Sequence, residues 1–211
     1  LDTWFAEVVK PRLRGEAYEI RYCDDFILCF EYREDAERVR EVLAKRFAKY
    51  GLSLHAEKTR QIEFGRKALI RSEAPGGKKP ETFDFLGFTH TCARSRRGKF
   101  TIHVRTIKKR LRRSLLAVTD WCQKHRHDPL ENQWKILNAK LRGHYQYYGR
   151  ATNYRSLWAF YRAVRRIWRK WLNRRTRGKT LGWAVFEQIL NRYPLLRPRI
   201  TRPWLNAGSR V

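Results

Sequence analysis

Positive charge is concentrated in one part of this 211-residue chain. Residues 1–92 carry 17 Lys and Arg against 16 Asp and Glu, whereas residues 93–211 carry 31 against 4. Because unpaired charged side chains are almost never buried, the second part must fold with most of its cations facing water. The net charge of +28 also predicts a polyanionic partner, with nucleic acid as the first candidate. A boundary between the two parts is predicted in the segment 93–99.

The composition favours a folded protein, since 42% of the residues are hydrophobic and eight are Trp. No apolar run approaches the ~18 residues of a membrane-spanning helix, and the N-terminus lacks a signal-peptide pattern. The four Cys show no CxxC spacing and no His at zinc-finger distance, so they are predicted to be free thiols. We expect a soluble protein of a reducing compartment. Because the chain has no Met and begins within a predicted helix at residues 1–9, we expect a fragment or processed piece.

Residues 1–92 show an α+β pattern. The β-rich runs Ala17–Tyr22 and 26–31 flank Cys23, Asp24 and Asp25, which predicts a tight hairpin with two acids at its tip. A helix is predicted over residues 34–50, where apolar residues recur at helical spacing. Further strands are predicted at 52–54, 60–64 and 82–88, with a loop at 72–80 before the last of them. This order of elements indicates a largely antiparallel sheet.

Residues 93–211 are predicted to be mainly helical after one strand at 99–104. Apolar residues recur every three or four positions in three successive segments, as amphipathic helices require. These residues are Ile107, Leu111, Leu115, Val118 and Cys122, then Leu130, Trp134, Leu137, Leu141, Tyr145 and Tyr148, then Leu157, Tyr161, Val164, Trp168 and Trp171. The opposite faces of the first and third helices are rich in Lys and Arg. A shorter helix is predicted at 183–191.

The paired acids Asp24 and Asp25 need an explanation, because like charges at a hairpin tip repel each other. A divalent metal would neutralise them, since Mg²⁺ binds through one or two carboxylates together with substrate phosphates. Asp-Asp is also a common turn dipeptide, because Asp adopts turn geometry and caps local amides. On these two residues alone, both interpretations stay open.

The residues around the acids resemble a known family. The motif IRYCDDF at 20–26 resembles the YxDD motif of reverse transcriptases, in the form used by group II intron enzymes. The resemblance continues in order through GLSL at 51–54, EKT at 57–59 and FLGF at 85–88, which is similar to the primer grip. LRGHY at 141–145, with Tyr147, Tyr148, Asn153 and Tyr154, and PRI at 198–200 are similar to the maturase-specific thumb, called domain X.

The resemblance implies an α+β fold in two domains. Residues 1–92 would be the C-terminal part of a polymerase palm, with packed helices and an antiparallel sheet that carries the YxDD hairpin. Residues 93–211 would be an all-α basic thumb. The implied function is RNA-directed DNA polymerisation, joined to intron RNA binding as a maturase in splicing and retromobility of a mobile element. Two alternatives remain: a non-catalytic RNA-binding splicing factor, and a CRISPR-associated reverse transcriptase of the same lineage.

The resemblance also implies roles for single residues. Asp24 would be a principal Mg²⁺ ligand and Asp25 a weaker ligand or supporting acid, so both are catalytic candidates. Tyr22, Cys23 and Lys58 would lie near the nucleotide, although Cys23 as a buried spacer and Lys58 as a surface lysine are the simpler interpretations. Residues 85–88, namely Phe85, Leu86, Gly87 and Phe88, would form a turn against the primer backbone, or would supply core aromatics.

The implied two-metal site is incomplete in this chain. The family's fingers and the palm strand with the other catalytic Asp are expected upstream of Leu1, so the isolated chain is expected to be inactive. The implied partners are an RNA template, structured intron RNA, a DNA primer, a dNTP and the N-terminal fingers and palm segment, with no membrane. The expected location is a prokaryotic cytoplasm or nucleoid.

RNA-binding residues of the thumb are predicted from their position relative to the apolar stripes. Aromatic residues at helical spacing are assigned to the core. Residues off the stripe of the second helix are predicted to contact RNA, and these are Arg142, His144, Gln146 and Arg150. Cations of the third helix are predicted to contact phosphates, and these are Arg162, Arg166 and Arg169.

Overall fold

The computed structural model describes residues 1–55, 57–175 and 180–203. The chain forms two compact units, Leu1–Phe64 and Gly65–Val211. The predicted boundary between residues 92 and 93 falls inside a strand of the second unit. No helix in the described residues is long and apolar enough to cross a membrane.

The first unit is a two-stranded sheet covered by helices on one face. Its elements are α1 (Asp2–Trp4), which continues as a π-helical turn (Phe5–Val9) and a 3₁₀ turn (Lys10–Arg12), β1 (Ala17–Tyr22), β2 (Asp25–Phe30) and α2 (Arg33–Ala48). The strands are antiparallel, with Ala17 opposite Phe30 and Tyr22 opposite Asp25. The predicted hairpin and the predicted helix at 34–50 are therefore confirmed to within two residues.

Alternation along the strands decides which face is buried. Ala17 on β1 and Phe26, Leu28 and Phe30 on β2 share one face, because opposite residues of an antiparallel pair point the same way. This face packs on a core from the first helical segment and α2, formed by Trp4, Phe5, Val9, Val39 and Leu43. The other face carries the exposed side chains of Tyr18, Ile20 and Tyr22.

The strands predicted at 52–54 and 60–64 are wrong. In the described residues after α2, the first unit has no further strand, and its sheet stays two-stranded. A short strand forms only where a neighbouring strand satisfies its backbone groups, and these two runs find none there.

The second unit begins with a helix and a three-stranded sheet. Its elements are α3 (Arg66–Glu73), β3 (Phe83–Phe85), β4 (Phe88–Arg94), β5 (Phe100–Thr106), α4 (Lys108–Lys124), α5 (Leu130–Tyr148), α6 (Tyr154–Leu172) and α7 (Trp183–Arg192). The sheet is antiparallel in the order β3-β4-β5. The single strand predicted at 82–88 is wrong, because the chain reverses at Leu86 and Gly87 to form two strands. Helix α3 is not among the predicted elements, and the loop predicted at 72–80 begins inside it.

Helix α6 supplies the centre of the second unit. Its residues Leu157, Phe160, Val164 and Trp168 are buried, and they pack with Leu137, Leu141 and Tyr145 of α5 and with Val118 and Cys122 of α4. The fully buried indole of Trp168 donates its Nε1–H to Oε1 of Gln133, 2.9 Å away. This buried amide thus satisfies the one polar atom that the largest core side chain carries.

The segment after α7 returns along α5. The Trp134 indole donates to the carbonyl of Pro194, and the Tyr145 hydroxyl donates to the carbonyl of Leu196. At the end of α5 the carbonyl of Gly149 accepts the backbone N–H of Thr201 at 2.9 Å. A Cβ on Gly149 would lie 2.9 Å from the Thr201 backbone nitrogen and 2.3 Å from the Tyr145 carbonyl oxygen, so this crossing requires glycine.

A buried polar staple joins the sheet to the helices of the second unit. Asn153, which is 0% exposed, accepts the backbone N–H of Thr106 at 2.9 Å and donates to the Thr106 hydroxyl at 2.8 Å. It also donates to the carbonyl of Tyr148 at 2.9 Å. The staple therefore connects the end of β5, the end of α5 and the start of α6.

We predict that Asn153→Ala lowers the free energy of unfolding by about 2–4 kcal/mol, because it leaves buried groups of Thr106 and Tyr148 without partners. Urea unfolding followed by circular dichroism measures the change. Asn132→Ala is the matched control, since Asn132 is exposed on α5, and its effect should stay within about 0.5 kcal/mol. Equal stability of parent and Asn153→Ala would show that the staple contributes little.

Candidate functional site

The paired acids lie at the tip of the first hairpin. Cys23 and Asp24 are the two central residues of the turn, and Asp25 opposes Tyr22 at its base. Cys23 has φ 53°, the left-handed backbone that two-residue hairpin turns require. All four residues are exposed, so both carboxylates are presented to solvent. The structure does not bury Cys23, which removes the interpretation of this side chain as a buried spacer in this unit.

A salt bridge fixes the base of this tip. The Arg21 guanidinium donates to both carboxylate oxygens of Asp2, at 2.6 and 2.7 Å, and to the carbonyl of Cys23 at 3.2 Å. The hydrogen bonds from Arg21 lower the pKa of Asp2 to about 2. Arg21 is thus committed to Asp2 and to the turn backbone. Within the described ranges, no ion pair involves Asp24 or Asp25.

The two carboxylates are the kind of donor that Mg²⁺ prefers. Mg²⁺ binds proteins through one or two carboxylates and keeps the rest of its shell for water and substrate phosphates. Asp24 and Asp25 offer such oxygens on an exposed turn, free of cation partners. Among the residues that the structure describes, no group of three or more His, Cys, Asp or Glu could hold a metal ion. In the described residues, the carboxylates that could bind Mg²⁺ at this turn are therefore those of Asp24 and Asp25.

Lys58 lies in the loop that follows α2. Its side chain is exposed, and its backbone N–H donates to the carbonyl of His55 at 3.1 Å. Neighbouring Ala56 is outside the described residues. The proximity of Lys58 to a nucleotide stays a prediction.

The FLGF motif forms a second tight turn. Phe85 opposes Phe88, and the two central residues, Leu86 and Gly87, have φ 47° and 81°. Two positive φ values are typical of a type I′ turn, a geometry that costs energy for a residue with a Cβ such as Leu86. The sequence allowed both a turn and core aromatics here, and the structure shows Phe88 buried while Leu86 and Gly87 form the turn.

Two tyrosines of α5, Tyr147 and Tyr148, hold this turn and are called the tyrosine clamp. The Tyr147 hydroxyl donates to the carbonyl of Leu86 at 3.0 Å. The ring of Phe88 stacks on Tyr147 at 6.0 Å between centroids and meets the edge of Tyr148 at 5.4 Å. The clamp supplies contacts that offset the cost of the turn geometry. The sequence does not predict the contact of the Tyr147 hydroxyl, because no pattern relates residues 86 and 147.

The prediction that His144 lies off the buried stripe is wrong. His144 is 8% exposed, and its ring stacks on Phe160 with 3.7 Å between centroids. Burial lowers its pKa from 6.5 to about 4. The signal was present in the sequence, since residue 144 follows Leu137 by seven positions and Leu141 by three, which places it on the same helix face. In this structure its ring is not available for surface contact.

The other predicted RNA contacts separate into exposed and internal residues. Those exposed are Arg142 and Gln146 on α5, Arg150 in the connection that follows α5, and Arg162 and Arg166 on α6. Arg169 is half-buried and bound internally: its guanidinium donates to the carbonyl of Leu181 at 2.8 Å and lies 4.2 Å from the ring centroid of Trp183. Arg150 lies beside the FLGF turn, with its guanidinium 5.9 Å from the ring centroid of Phe88.

Every acid of residues 93–211 lies against a Lys, Arg or His side chain. The pairs are Asp120 with Lys124, Asp128 with His125, Glu131 with Lys135, and Glu187 with Arg165. Because this part carries 31 Lys and Arg against these four acids, most of its cations lack an acid within it, although Arg94 pairs with Glu73 of α3. An exposed row on α4 shows this excess, and consists of Lys108, Lys109, Arg110, Arg112 and Arg113. Such a row is suited to phosphate contact.

Comparison with known families matches the first part of the chain. Residues 3–90 match the family model described as reverse transcriptase (RNA-dependent DNA polymerase). The matched span includes the hairpin with Asp24 and Asp25 and ends in β4, after the FLGF turn. It covers fewer than half of the residues, and helices α4 to α7 lie outside it. No curated protein matches the chain. The reverse transcriptase resemblance thus has independent support over residues 3–90.

The lowered pKa of His144 predicts a pH-dependent stability. Between pH 6.5 and about 4 the unfolded histidine binds a proton that the folded one does not, so stability falls as the pH drops through this window. We expect His144→Phe, which keeps a ring against Phe160, to reduce the stability difference between pH 7 and pH 4.5 by about 2–3 kcal/mol. Urea unfolding at both pH values measures it. His127→Phe, at an exposed histidine, should not reduce it, and equal pH dependence in parent and His144→Phe would contradict the assignment.

Proposed function

We propose that this chain contributes the C-terminal palm segment, residues 1–92, and the basic thumb, residues 93–211, of an RNA-directed DNA polymerase of the group II intron type. The same protein would bind intron RNA as a maturase during splicing and retromobility. One observation carries the proposal: the YCDD sequence forms a two-residue turn that presents two unpaired carboxylates, within the span that matches reverse transcriptases.

The acid pair is proposed as part of the catalytic metal site. When bound, Mg²⁺ would hold phosphate oxygens and neutralise charge that develops in nucleotidyl transfer. Asp24 and Asp25 would supply carboxylate oxygens to it, and a further palm aspartate would complete the two-metal set. Tyr22, Cys23 and Lys58 would border the incoming nucleotide. The bond from Arg21 to the carbonyl of Cys23 supports this role, because it fixes the turn backbone on which both acids depend.

The nucleic acid is proposed to follow the FLGF turn and the basic helices. Residues 85–88 would contact the primer backbone. The missing Cβ of Gly87 gives room to the tyrosine clamp instead, because a Cβ there would lie 3.4 Å from the Tyr148 hydroxyl oxygen. The exposed row on α4 and Arg162 and Arg166 of α6 would neutralise phosphates without reading sequence. Arg142 and Gln146, exposed on α5, and Arg150, exposed just after it, would distinguish structured RNA from other RNA by its shape and its unpaired bases.

A second candidate is an RNA-binding splicing factor in which the palm segment is structural. The charge distribution favours it, because the cations concentrate outside the span that matches reverse transcriptases. The free acid pair favours the polymerase, because a structural turn would gain nothing from two like charges without a cation.

The first test replaces a proposed metal ligand. In a polymerase that contains this chain, Asp24→Ala should lower Mg²⁺-dependent primer extension on an RNA template by at least ~10²-fold, as expected for loss of a preorganised electrostatic group. RNA affinity and thermal stability should stay close to those of the parent. A primer-extension gel and a filter-binding titration measure the two effects.

Glu37→Ala is the matched control, since Glu37 is an exposed acid of the same unit that pairs with Arg33 on α2. It should extend primers at the parental rate. Near-parental extension by Asp24→Ala would remove the catalytic role and leave the splicing-factor candidate.

The second test measures the salt dependence of RNA binding. If ~6–10 phosphates are neutralised, affinity should fall by roughly 10³–10⁵ between ~50 and ~200 mM salt. Replacing Arg162 and Arg166 by Gln should flatten the dependence for any RNA sequence. Replacing Arg142 and Gln146 by Ala should instead reduce the preference for intron RNA over a random competitor.

The double variant Arg33→Gln, Arg38→Gln removes the same charge from α2 of the first unit, and it should leave the salt dependence unchanged. Binding by the parent that does not respond to salt would contradict the phosphate-contact role of the basic helices.

A further inference from the structure

A shallow pocket lies between helices α6 and α7, away from the acid pair and the FLGF turn in sequence. It is lined by Arg162, Arg165, Arg166 and Trp183, encloses about 360 Å³, and is called the arginine–tryptophan pocket. The three arginines share one face of α6, since they are three and four positions apart. This volume is at the low end of the ~300–1,000 Å³ typical of ligand sites, which gives room for one nucleotide-sized group.

The charges in this pocket are unevenly satisfied. Arg165 is paired with Glu187, an interaction that neutralises it within the protein. In the described part of the chain, Arg162 and Arg166 have neither a hydrogen bond nor an ion pair. Both are exposed, and guanidinium groups bind phosphate oxygens through two parallel hydrogen bonds. The pocket thus presents two free phosphate-binding groups beside one neutralised arginine.

Trp183 gives the pocket an aromatic wall. It is 48% exposed, which is unusual for the largest apolar side chain in a unit that buries Trp168 and Trp171. The guanidinium of Arg169 lies 4.2 Å from its ring centroid, and Phe186 meets it edge-on at 6.0 Å. These contacts fix the indole in place while nearly half of its surface remains accessible. A fixed, exposed ring beside phosphate-binding groups is the arrangement on which unpaired bases stack.

We propose that the arginine–tryptophan pocket binds one unpaired nucleotide of a single-stranded segment, with the base stacked on Trp183 and its phosphate held by Arg162 and Arg166. This inference rests on the proposed nucleic-acid binding and deepens it. The rest of the thumb surface would contact phosphates of paired and unpaired strands alike, whereas this pocket requires a base free to leave its helix. RNA and DNA share the chemistry of this contact.

The experiment compares two ligands with the full chain. One is a blunt 16-base-pair RNA duplex, and the other is the same duplex with a five-nucleotide single-stranded RNA extension. A third ligand carries the extension as DNA, which shows whether the pocket prefers an RNA or a DNA nucleotide. Fluorescence anisotropy at a fixed salt concentration gives both affinities. The ratio of the affinities is the gain from the extension, and the proposal concerns this ratio rather than the affinity for the duplex.

We expect Trp183→Leu to reduce the gain from the extension by about 5- to 150-fold, the loss of one base stack, while the duplex affinity changes little. Trp183→Phe should retain most of the gain, because it keeps a ring. Arg162→Gln with Arg166→Gln should also reduce the gain, and in the described residues it breaks no hydrogen bond or ion pair. Val185→Ala is the matched control, since Val185 is 49% exposed on the same helix and should leave the gain unchanged.

Charge loss is controlled on another helix. Arg112→Gln with Arg113→Gln removes the same charge from α4 and should weaken duplex and extended ligand equally. The proposal is overturned if the parent shows no gain from the extension, if Trp183→Leu or the Arg162 and Arg166 variant keeps the gain, or if polyglutamate displaces the extension as well as RNA does. A parent that binds the duplex but shows no gain defeats this proposal alone, whereas a parent that binds neither ligand defeats the proposed RNA binding as well.

Discussion

The polar staple at Asn153 is the interaction on which the architecture of the second unit depends. Backbone N–H and C=O groups at the end of a strand or helix have no partner within that element. Where such ends are buried against each other, a side chain can supply the missing hydrogen bonds. Asn153 does this with three bonds at a position of 0% exposure, and neighbouring Thr152 adds a bond from its hydroxyl to the carbonyl of Val104. The staple holds the end of β5 against the turn between α5 and α6, next to the tyrosine clamp.

The excess of cations in this unit is accommodated by aromatic rings as well as by water. The four acids of residues 93–211 already have partners, and several further cations lie over indole rings: Arg169 over Trp183, Arg174 over Trp171 and Lys140 over Trp121. A cation over an aromatic face is stabilised by about 0.5–2 kcal/mol without a counter-ion. The rings thus contact some of the cations, whereas Arg162 and Arg166 have neither a ring contact nor an ion pair in the described residues.

The elements that the sequence predicts correctly are those that local residue patterns determine. The hairpin at Cys23 and Asp24 and the four helices of the basic part follow from turn residues and apolar periodicity, and they agree with the structure to within about three residues. The errors arise where long-range contacts decide. Helix α3 buries little more than Ala68 and Leu69, a pair too short to show a period, and the runs at 52–54 and 60–64 lack a neighbouring strand. At the site, the motif predicts the two acids at the hairpin tip. The tyrosine clamp and the exposed position of Trp183 are not predictable from it, because they result from contacts between elements far apart in sequence.

The two tight turns differ in the sequence separation of the contacts that hold them. The acidic turn closes a hairpin between adjacent strands, which is a local event that forms within microseconds. The FLGF turn keeps a left-handed Leu86, and the hydroxyl that holds it comes from Tyr147, 61 residues later. This contact is non-local, so it can form only when α5 has docked on the sheet. The turn of the proposed metal ligands therefore depends on its own two strands, whereas the proposed primer contact takes its final shape only when α5 is in position.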